Sequence, residues 1–230
     1  MASALKHALE DLLRARRLQR AGPPLRGEDR RLRPLGTGLA ALDGSLGGGF
    51  PRGCLSEVHG PASSGRTGLA LALVAQATWS GALAAWVDPG DALDPASAAA
   101  AGVELQRLLW LRGDPPARAL PAAVAAVGTL VGSGLFDVVV LDLAGVPPRE
   151  IGRLPGATWI RLQRMIEETP AALVLLAPAH VARGPGGVSL PLQAGTPRWS
   201  GAGPGRLLRG LAAEARAGLP GVGFELRALD

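Results

Sequence analysis

The sequence is poor in cysteine and contains no long apolar run. Cys54 is the one cysteine among 230 residues, so the chain cannot form an internal disulfide, as expected for a protein of a reducing cytosol. No stretch of about 18 apolar residues is present, and the N-terminus lacks the apolar segment of a signal peptide. These absences argue against a disulfide-stapled secreted domain and a membrane protein, and they predict a cytoplasmic one.

Metal-ligating residues and repeats are also scarce. His7, His59 and His180 stand far apart in the sequence, so each is expected to be an ordinary surface or core histidine, and no metal site is predicted. No internal repeat is present. A length of 230 residues with 47% hydrophobic content predicts a globular chain with one ordinary core.

Positive charge is concentrated at the two ends of the chain. The net charge is +5, from 24 basic and 19 acidic residues. Residues 1–33 account for the whole excess, residues 34–148 are acidic, and residues 149–230 are basic. This asymmetry suggests nucleic acid or an acidic protein as a partner, although a solvated surface is the commoner reason for any one charge.

The basic N-terminal arm has the pattern of a docking helix. Residues 3–20 carry leucines at helical spacing, and a Pro-Pro linker with a charged stretch follows. The sequence thus divides into an arm, residues 1–33, and a core, residues 34–230. The apolar stripe fits either its own core or a neighbouring molecule, and we expect self-association or partner binding. The arm residues expected to contact a partner or DNA are Leu5, Leu9, Leu12, Arg14 and Arg17.

Residues 60–67 have the spacing of a phosphate-binding loop. Their sequence, GPASSGRT, matches G-x-x-x-x-G-K-[ST] except that Arg66 replaces the lysine. An apolar run precedes the loop and a helical run follows it, as the motif requires. In such loops backbone N–H groups hold phosphates and the Ser/Thr hydroxyl holds Mg²⁺. Arginine keeps the charge but is planar and bulkier than lysine, so the site is altered.

Apolar strands alternate with helices along the core. Strands are expected at residues 54–59, 82–88, 108–111, 137–142 and 172–176, with helices between them. This alternation predicts an α/β fold with a mostly parallel sheet and helices on both faces. Ligands of such sheets bind at the carboxyl ends of the strands, where residues 60–67, Asp88 and Asp142 fall.

The pattern is weaker beyond residue 181. Residues 188–192 and 223–229 have the composition of edge strands. The leucines of residues 206–217 fit both helical and extended spacing, so the structure of that segment stays open.

Four separated segments together resemble the core of the RecA recombinase family in order and spacing. They are residues 37–43 (TGLAALD), 46–53 (LGGGFPRG), 57–65 (EVHGPASSG) and 87–95 (VDPGDALDP). The resemblance covers roughly residues 35–180. It implies a RecA-like P-loop core preceded by an N-terminal helix.

The resemblance also shows departures at four places that handle ATP in the family. These are the P-loop lysine, the glutamate that activates water, the aromatic that stacks on adenine, and the Asn-Gln pair that senses the γ-phosphate. They are occupied here by Arg66, Gly90, Ser97, and Pro178 with Ala179. Loss of positioning and charge stabilisation implies a pseudo-ATPase with no catalytic residue.

Some nucleotide contacts remain in the sequence. The degenerate site keeps Gly60, Ser63, Ser64, Gly65, Arg66, Thr67 and Asp142. The resemblance therefore implies no required cofactor and only weak binding of ATP and Mg²⁺. We expect Arg66 to turn toward a bound anion or toward one of three acids, Asp142, Asp88 or Asp91, because a buried unpaired guanidinium is costly.

A short, arginine-rich, degenerate chain of this kind is most similar to the ImuA family of SOS mutagenesis. No counterpart of the recombinase's C-terminal domain is expected before Asp230. The resemblance implies a binding role in translesion DNA synthesis, with an ImuB-like relative of Y-family polymerases as partner. RecA and an error-prone polymerase are further candidate partners, and the implied location is the cytoplasm, with the nucleoid after DNA damage.

Two other functions stay open. One is an active ATPase of the RecA/RadA/KaiC group, against which Gly90, Pro178 and Ala179 argue. The other is a DNA-binding module, since Arg183, Arg198 and Trp199 lie where the second DNA-binding loop of the recombinases would be. An aromatic beside arginines can stack on a single strand.

Overall fold

The computed structural model describes residues 7, 10–12, 14, 15, 33–113, 119–182, 186–216 and 221–227. Leu5, Leu9, Arg17 and Arg183, which the sequence singles out as contact residues, lie outside this part of the chain.

Six strands form a parallel sheet in the order β3-β2-β4-β5-β1-β6. They are β1 (Cys54–His59), β2 (Ala84–Asp88), β3 (Leu108–Arg112), β4 (Val138–Asp142), β5 (Ala172–Ala177) and β6 (Ser189–Pro191). Every residue of β2, β4 and β5 is buried, as expected for apolar strands covered on both faces. The prediction of an α/β fold with a mostly parallel sheet is confirmed.

Helices cover both faces of this sheet. They are α1 (Ala40–Ser45), α2 (Arg66–Trp79), α3 (Pro95–Ala100), α4 (Ala119–Gly132), α5 (Pro148–Ile151) and α6 (Ala157–Ile166), with 3₁₀ turns at Leu105–Arg107 and Gly203–Gly205. Helix α3 begins at Pro95, because the Asp94 carboxylate accepts from the backbone N–H groups of Ala96 and Ser97.

Two separate apolar cores lie above and below the sheet. Val138 and Val140 of β4 face the core that contains Leu69 and Leu73 of α2. Val139 and Leu141 face the opposite core, which α4 and α6 cover. The alternation follows from the two-residue period of a strand. Both helical layers therefore depend on the same buried strands.

A second, antiparallel sheet follows the first. It consists of β7 (Thr196–Ser200), β8 (Leu207–Ala215) and β9 (Val222–Arg227). The segment that the sequence left open is thus a strand, β8, and the edge strands expected near residues 188–192 and 223–229 are β6 and β9. Ala213 and Phe224 of this sheet join the core beside α2, so the sheet packs over the phosphate-loop side of the molecule.

Strand β7 was not expected from the sequence, and Arg198 and Trp199 lie in it and not in a loop. Before the first strand, Leu35 pairs with Phe50 in an isolated β-bridge, and helix α1 begins only at Ala40.

The described residues of the N-terminal arm are helical. Leu12 is 44% exposed and lies at a small crevice with Leu83, Leu109 and Phe136 of the core. Arg14 pairs with Asp11 at 3.1 Å on the exposed side. Across the described part of the chain, no helix has the length and apolar character needed to cross a membrane.

Candidate functional site

The phosphate-loop motif forms a compact turn between β1 and α2. Ser63 and Gly65 have φ angles of 60° and 93°, in the left-handed region that glycine enters without strain. A side chain at Gly60 would meet the Leu192 carbonyl oxygen at 2.3 Å, so that position requires glycine. The loop leads directly into the 14-residue helix α2, whose first-turn N–H groups have no partner within the helix. The strand, loop and helix predicted from the motif are therefore present.

Two polar groups in this loop are buried without a hydrogen-bond partner among the described residues. They are the Ser64 hydroxyl and the Nη1 atom of Arg66. Arg66 is only 8% exposed; burial lowers the pKa of its guanidinium, and the charge of Asp142 acts in the opposite direction. Buried donors of this kind normally have partners. These two donors are therefore the polar groups of the loop that the described residues leave unpaired.

Asp142 lies at the carboxyl end of β4 and is 2% exposed. Its carboxylate accepts a hydrogen bond from the Ala144 N–H at 2.8 Å. Burial raises the pKa of Asp142 to about 6, and the charge of Asp88 acts in the same direction. The Ala144 hydrogen bond, Arg66 and the Trp86 indole oppose the rise. Asp142 is thus the acid whose charge acts on Arg66, although no hydrogen bond joins the two within the described structure.

The other two acids considered for Arg66 have different partners. Asp88 accepts from the N–H groups of Ala92 and Leu93, at 3.0 and 2.9 Å, and from the Trp110 indole at 3.2 Å. Asp91 forms a two-bond ion pair with Arg112, each bond 2.7 Å long. Both carboxylates therefore stabilise the turn after β2.

Gly90, which the resemblance matches to the family's water-activating glutamate, lies against the backbone of another segment. A Cβ atom at Gly90 would lie 2.9 Å from the Gly145 Cα and 3.2 Å from the Gly145 carbonyl carbon. Such contacts are far shorter than van der Waals separation, so a side chain at residue 90 requires the backbone to move. Ser97, at the adenine-stacking position, is exposed and donates to Asp94.

The second sheet forms one wall of a groove over the start of α2. The groove has a volume of about 1160 Å³ and is lined by Gly65, Gly68 and Ser97 on one side. A Cβ atom at Gly65 or Gly68 would lie within 2.9 Å of the Leu226 side chain, and Leu211 packs beside it. The space beyond the phosphate loop is therefore bordered by leucines of β8 and β9. Nothing in the sequence of these strands indicated that contact.

Arg198 and Trp199 lie near this groove. Arg198 is among its lining residues and pairs with Glu225 at 2.5 Å. Trp199 is 45% exposed, and the Arg206 guanidinium lies 4.6 Å from its ring centroid. The strand thus holds an aromatic-arginine pair at the surface.

The expectation that the histidines stand alone is wrong for two of them. The His59 and His180 rings are 5.2 Å apart, and the His180 Nδ1 atom lies 2.5 Å from the Glu57 carboxylate. The proximity of Glu57 and His59 could have been predicted from sequence, because residues two apart in a strand share a face. His180 could not be found that way, since only the pairing of β1 with β5 brings it near.

The fold and the loop together define a P-loop α/β protein of the RecA type. The model of the RecA N-terminal domain matches residues 24–168, more than half of the chain, and the chain belongs to that family.

Individual relatives agree with this assignment. The chain is 46% identical over 132 residues to Protein RecA of Rubrobacter xylanophilus. It is 42% identical over 144 residues to Protein RecA of Streptococcus pyogenes serotype M49. These matches cover 56% and 61% of this chain, and 37% of each relative. The chain therefore matches little more than a third of the length of these curated relatives.

Proposed function

We propose that this chain is a non-enzymatic RecA-like accessory protein, with a nucleotide site that retains anion binding and has lost hydrolysis. The observation that carries the proposal is the contact between Gly90 and Gly145. A Cβ at residue 90 would lie 2.9 Å from the neighbouring Cα, so the general base of the family has neither a side chain nor the space for one. Removing such a base costs a large part of the rate enhancement.

The state of Arg66 supports the same conclusion. Its guanidinium is buried beside the loop, and Nη1 has no hydrogen-bond partner within the described residues. A planar guanidinium is bulkier than the compact ammonium of the P-loop lysine, which reaches the outer phosphates in the working motif. It can hold a static anion, together with the Ser64 hydroxyl.

The biological role follows from the resemblance to the ImuA family. We place the chain in SOS-induced translesion synthesis, as a binding partner of an ImuB-like protein, with RecA and an error-prone polymerase as further partners. Its place of action would be the cytoplasm, and the nucleoid after DNA damage. DNA contact through β7 is a secondary role, supported by the exposed Trp199 and the arginine stacked on it.

An active ATPase is the second candidate function. The relatives named Protein RecA and the intact turn of residues 60–67 favour it. Thr67 in the first turn of α2 and Asp142 at the end of β4 would hold Mg²⁺ if nucleotide is bound.

ATP turnover by the full chain, freed of any tag, distinguishes the two. We expect wild type, Asp142→Ala and Arg66→Lys all to stay at background, because Arg66→Lys restores the ammonium without the base. Phosphate or ADP should still bind wild type and bind Arg66→Ala about tenfold or more weakly, since one charge-assisted hydrogen bond is lost. A wild-type turnover of about 1 s⁻¹ or more, abolished by Asp142→Ala, would establish the ATPase instead.

Partner binding is tested by removing residues 1–33. Burial of each leucine of the arm stabilises a complex by about 1.5–3 kcal/mol, so the truncated chain should lose self-association or the ImuB-like partner and keep its fold. Light scattering and pull-down measure the first, and thermal melting measures the second. A truncated chain that keeps every partner but melts several degrees lower would show that the arm packs only on its own core, as the position of Leu12 allows.

A further inference from the structure

Three side chains with metal-binding atoms converge beside the phosphate loop. Glu57 and His59 project from β1, and His180 follows β5. Each can offer one ligand atom, and these atoms all lie within 4.8 Å of one another. Two imidazoles and one carboxylate form a donor set that zinc uses in proteins, with a fourth position left open.

The carboxylate of this cluster is held in place. Glu57 is 2% exposed, and its Oε1 atom accepts from the backbone N–H groups of Val181 and Ala182, at 2.7 and 3.2 Å. These bonds direct Oε2 toward His180 Nδ1. Hydrogen bonds of this kind orient metal ligands and raise affinity, so the anionic ligand is already positioned.

The two imidazole rings lie side by side next to this carboxylate, with their centroids 5.2 Å apart. The Ser189 hydroxyl lies 3.3 Å from His59 Nε2 and 3.5 Å from His180 Nδ1, which places a further oxygen beside the cluster.

We propose that Glu57, His59 and His180 form a binding site for a divalent transition-metal ion of the zinc class. Nitrogen-rich sites favour zinc and its neighbours over Mg²⁺ or Ca²⁺, which prefer oxygen ligands. Ligand atoms about 2 Å from one ion lie roughly 3.3 Å apart in tetrahedral geometry. Glu57 and His180 must therefore separate slightly and His59 must approach, which the 41% exposed His180 side chain permits.

The position of the site indicates what the ion would do. His59 is the residue before Gly60 of the phosphate loop, and His180 directly follows Pro178 and Ala179, where the family has its γ-phosphate sensor. A bound ion would tie the end of β1 to the connection between β5 and β6. This goes beyond the proposed function, because it needs neither nucleotide nor a partner protein.

The test uses the full chain without a tag, stripped by a chelator and titrated with Zn²⁺ against a chromophoric competitor. We expect one ion per chain, and an affinity at least about 100-fold lower in His180→Ala and in His59→Ala. His7→Ala, in the third histidine of the chain, is the matched control and should bind as wild type does. Co²⁺ should give the visible absorption of four-coordinate geometry in wild type and His7→Ala alone.

A second readout keeps the proposal testable if a variant folds poorly. Zn²⁺ should raise the melting temperature of wild type and His7→Ala, and leave that of His180→Gln unchanged. Equal Zn²⁺ affinity in wild type and His180→Ala, loss of the ion in His7→Ala, or no binding by wild type would each overturn the site.

Discussion

Asp88 and Asp142 end neighbouring strands of one sheet, yet the protein uses them differently. Strands β2 and β4 pair in register, with Trp86 opposite Val140, and both carboxylates are buried. Asp88 accepts three hydrogen bonds from its own turn and from Trp110. Asp142 accepts one from the Ala144 N–H, and the Trp86 indole also favours its charged form, yet burial raises its pKa to about 6.

Asp88 is therefore a structural carboxylate, whereas Asp142 remains available to bind a ligand. A buried acid that accepts three hydrogen bonds from neighbouring N–H groups fixes the backbone around it. A buried acid with fewer hydrogen bonds and a raised pKa is held at a cost to stability, which is typical of functional positions. Of the two strand ends, only that of β4 keeps the chemistry of a ligand site.

The largest effect is expected for Asp88→Ala. The substitution leaves the N–H groups of Ala92 and Leu93 and the Trp110 indole without their acceptor. The Leu93 N–H is buried and the other two donors are partly buried; a buried donor left unpaired costs about 1–3 kcal/mol. The free energy of unfolding should fall by about 3–5 kcal/mol in total. Urea denaturation followed by circular dichroism measures it.

Asp91→Ala is the matched control, three residues further along the same turn. Asp91 pairs with Arg112 at the surface, where the two side chains are 40% and 59% exposed. Exposed ion pairs contribute little, because water and salt screen them. If Asp91→Ala costs as much as Asp88→Ala, the structural role assigned to Asp88 is wrong.

The strands and the loop could be predicted from sequence because their signals are local. The buried runs of β2, β4 and β5 and the spacing of residues 60–67 each lie within a few residues. Strand β8 could not be assigned, since its leucines fit two periods, and tertiary pairing with β7 and β9 decides between them. Strand β7 was missed for a similar reason: glycine and proline surround it, and its residues are mostly exposed.

The contacts that define the site are not local. Each of them joins two segments that are distant in sequence. The pairs in contact are Leu226 with Gly68, Gly90 with Gly145, and His180 with Glu57. Arg66 and Asp142 could be identified from sequence. That the guanidinium is buried without a hydrogen bond to the acid could not be predicted. Nor did the sequence distinguish Asp88 from Asp142, because both simply end an apolar strand with a carboxylate.

A smaller effect, of opposite sign, is expected for Asp142→Asn. The pKa of Asp142 is raised from the model-compound value of 3.8 to about 6 in the folded protein. The folded state therefore binds more protons than the unfolded state between about pH 4 and 6, and this carboxyl lowers stability as the pH rises through that window. The penalty above pH 6 is up to about 3 kcal/mol, and it already includes the favourable charge of Arg66. Asn keeps the shape without the charge, so Asp142→Asn should be more stable than wild type at pH 7 by about 1–2 kcal/mol.

The pH dependence distinguishes this cause from a change in packing. The difference in unfolding free energy between Asp142→Asn and wild type, measured by urea denaturation, should be near zero at pH 4, where both side chains are neutral in the folded state. It should grow through pH 5 and 6 and level off near pH 7, because the wild-type carboxyl is half ionised at about pH 6 in the folded protein and almost fully ionised one pH unit higher. A difference that is the same at pH 4 and pH 7 would mean that shape or hydrogen bonding, and not buried charge, sets the energy of this position. If Asp142→Asn is instead less stable than wild type at pH 7, the attraction between Arg66 and the carboxylate outweighs the free-energy cost of burying the charge. Asp142 would then have a structural role like that of Asp88.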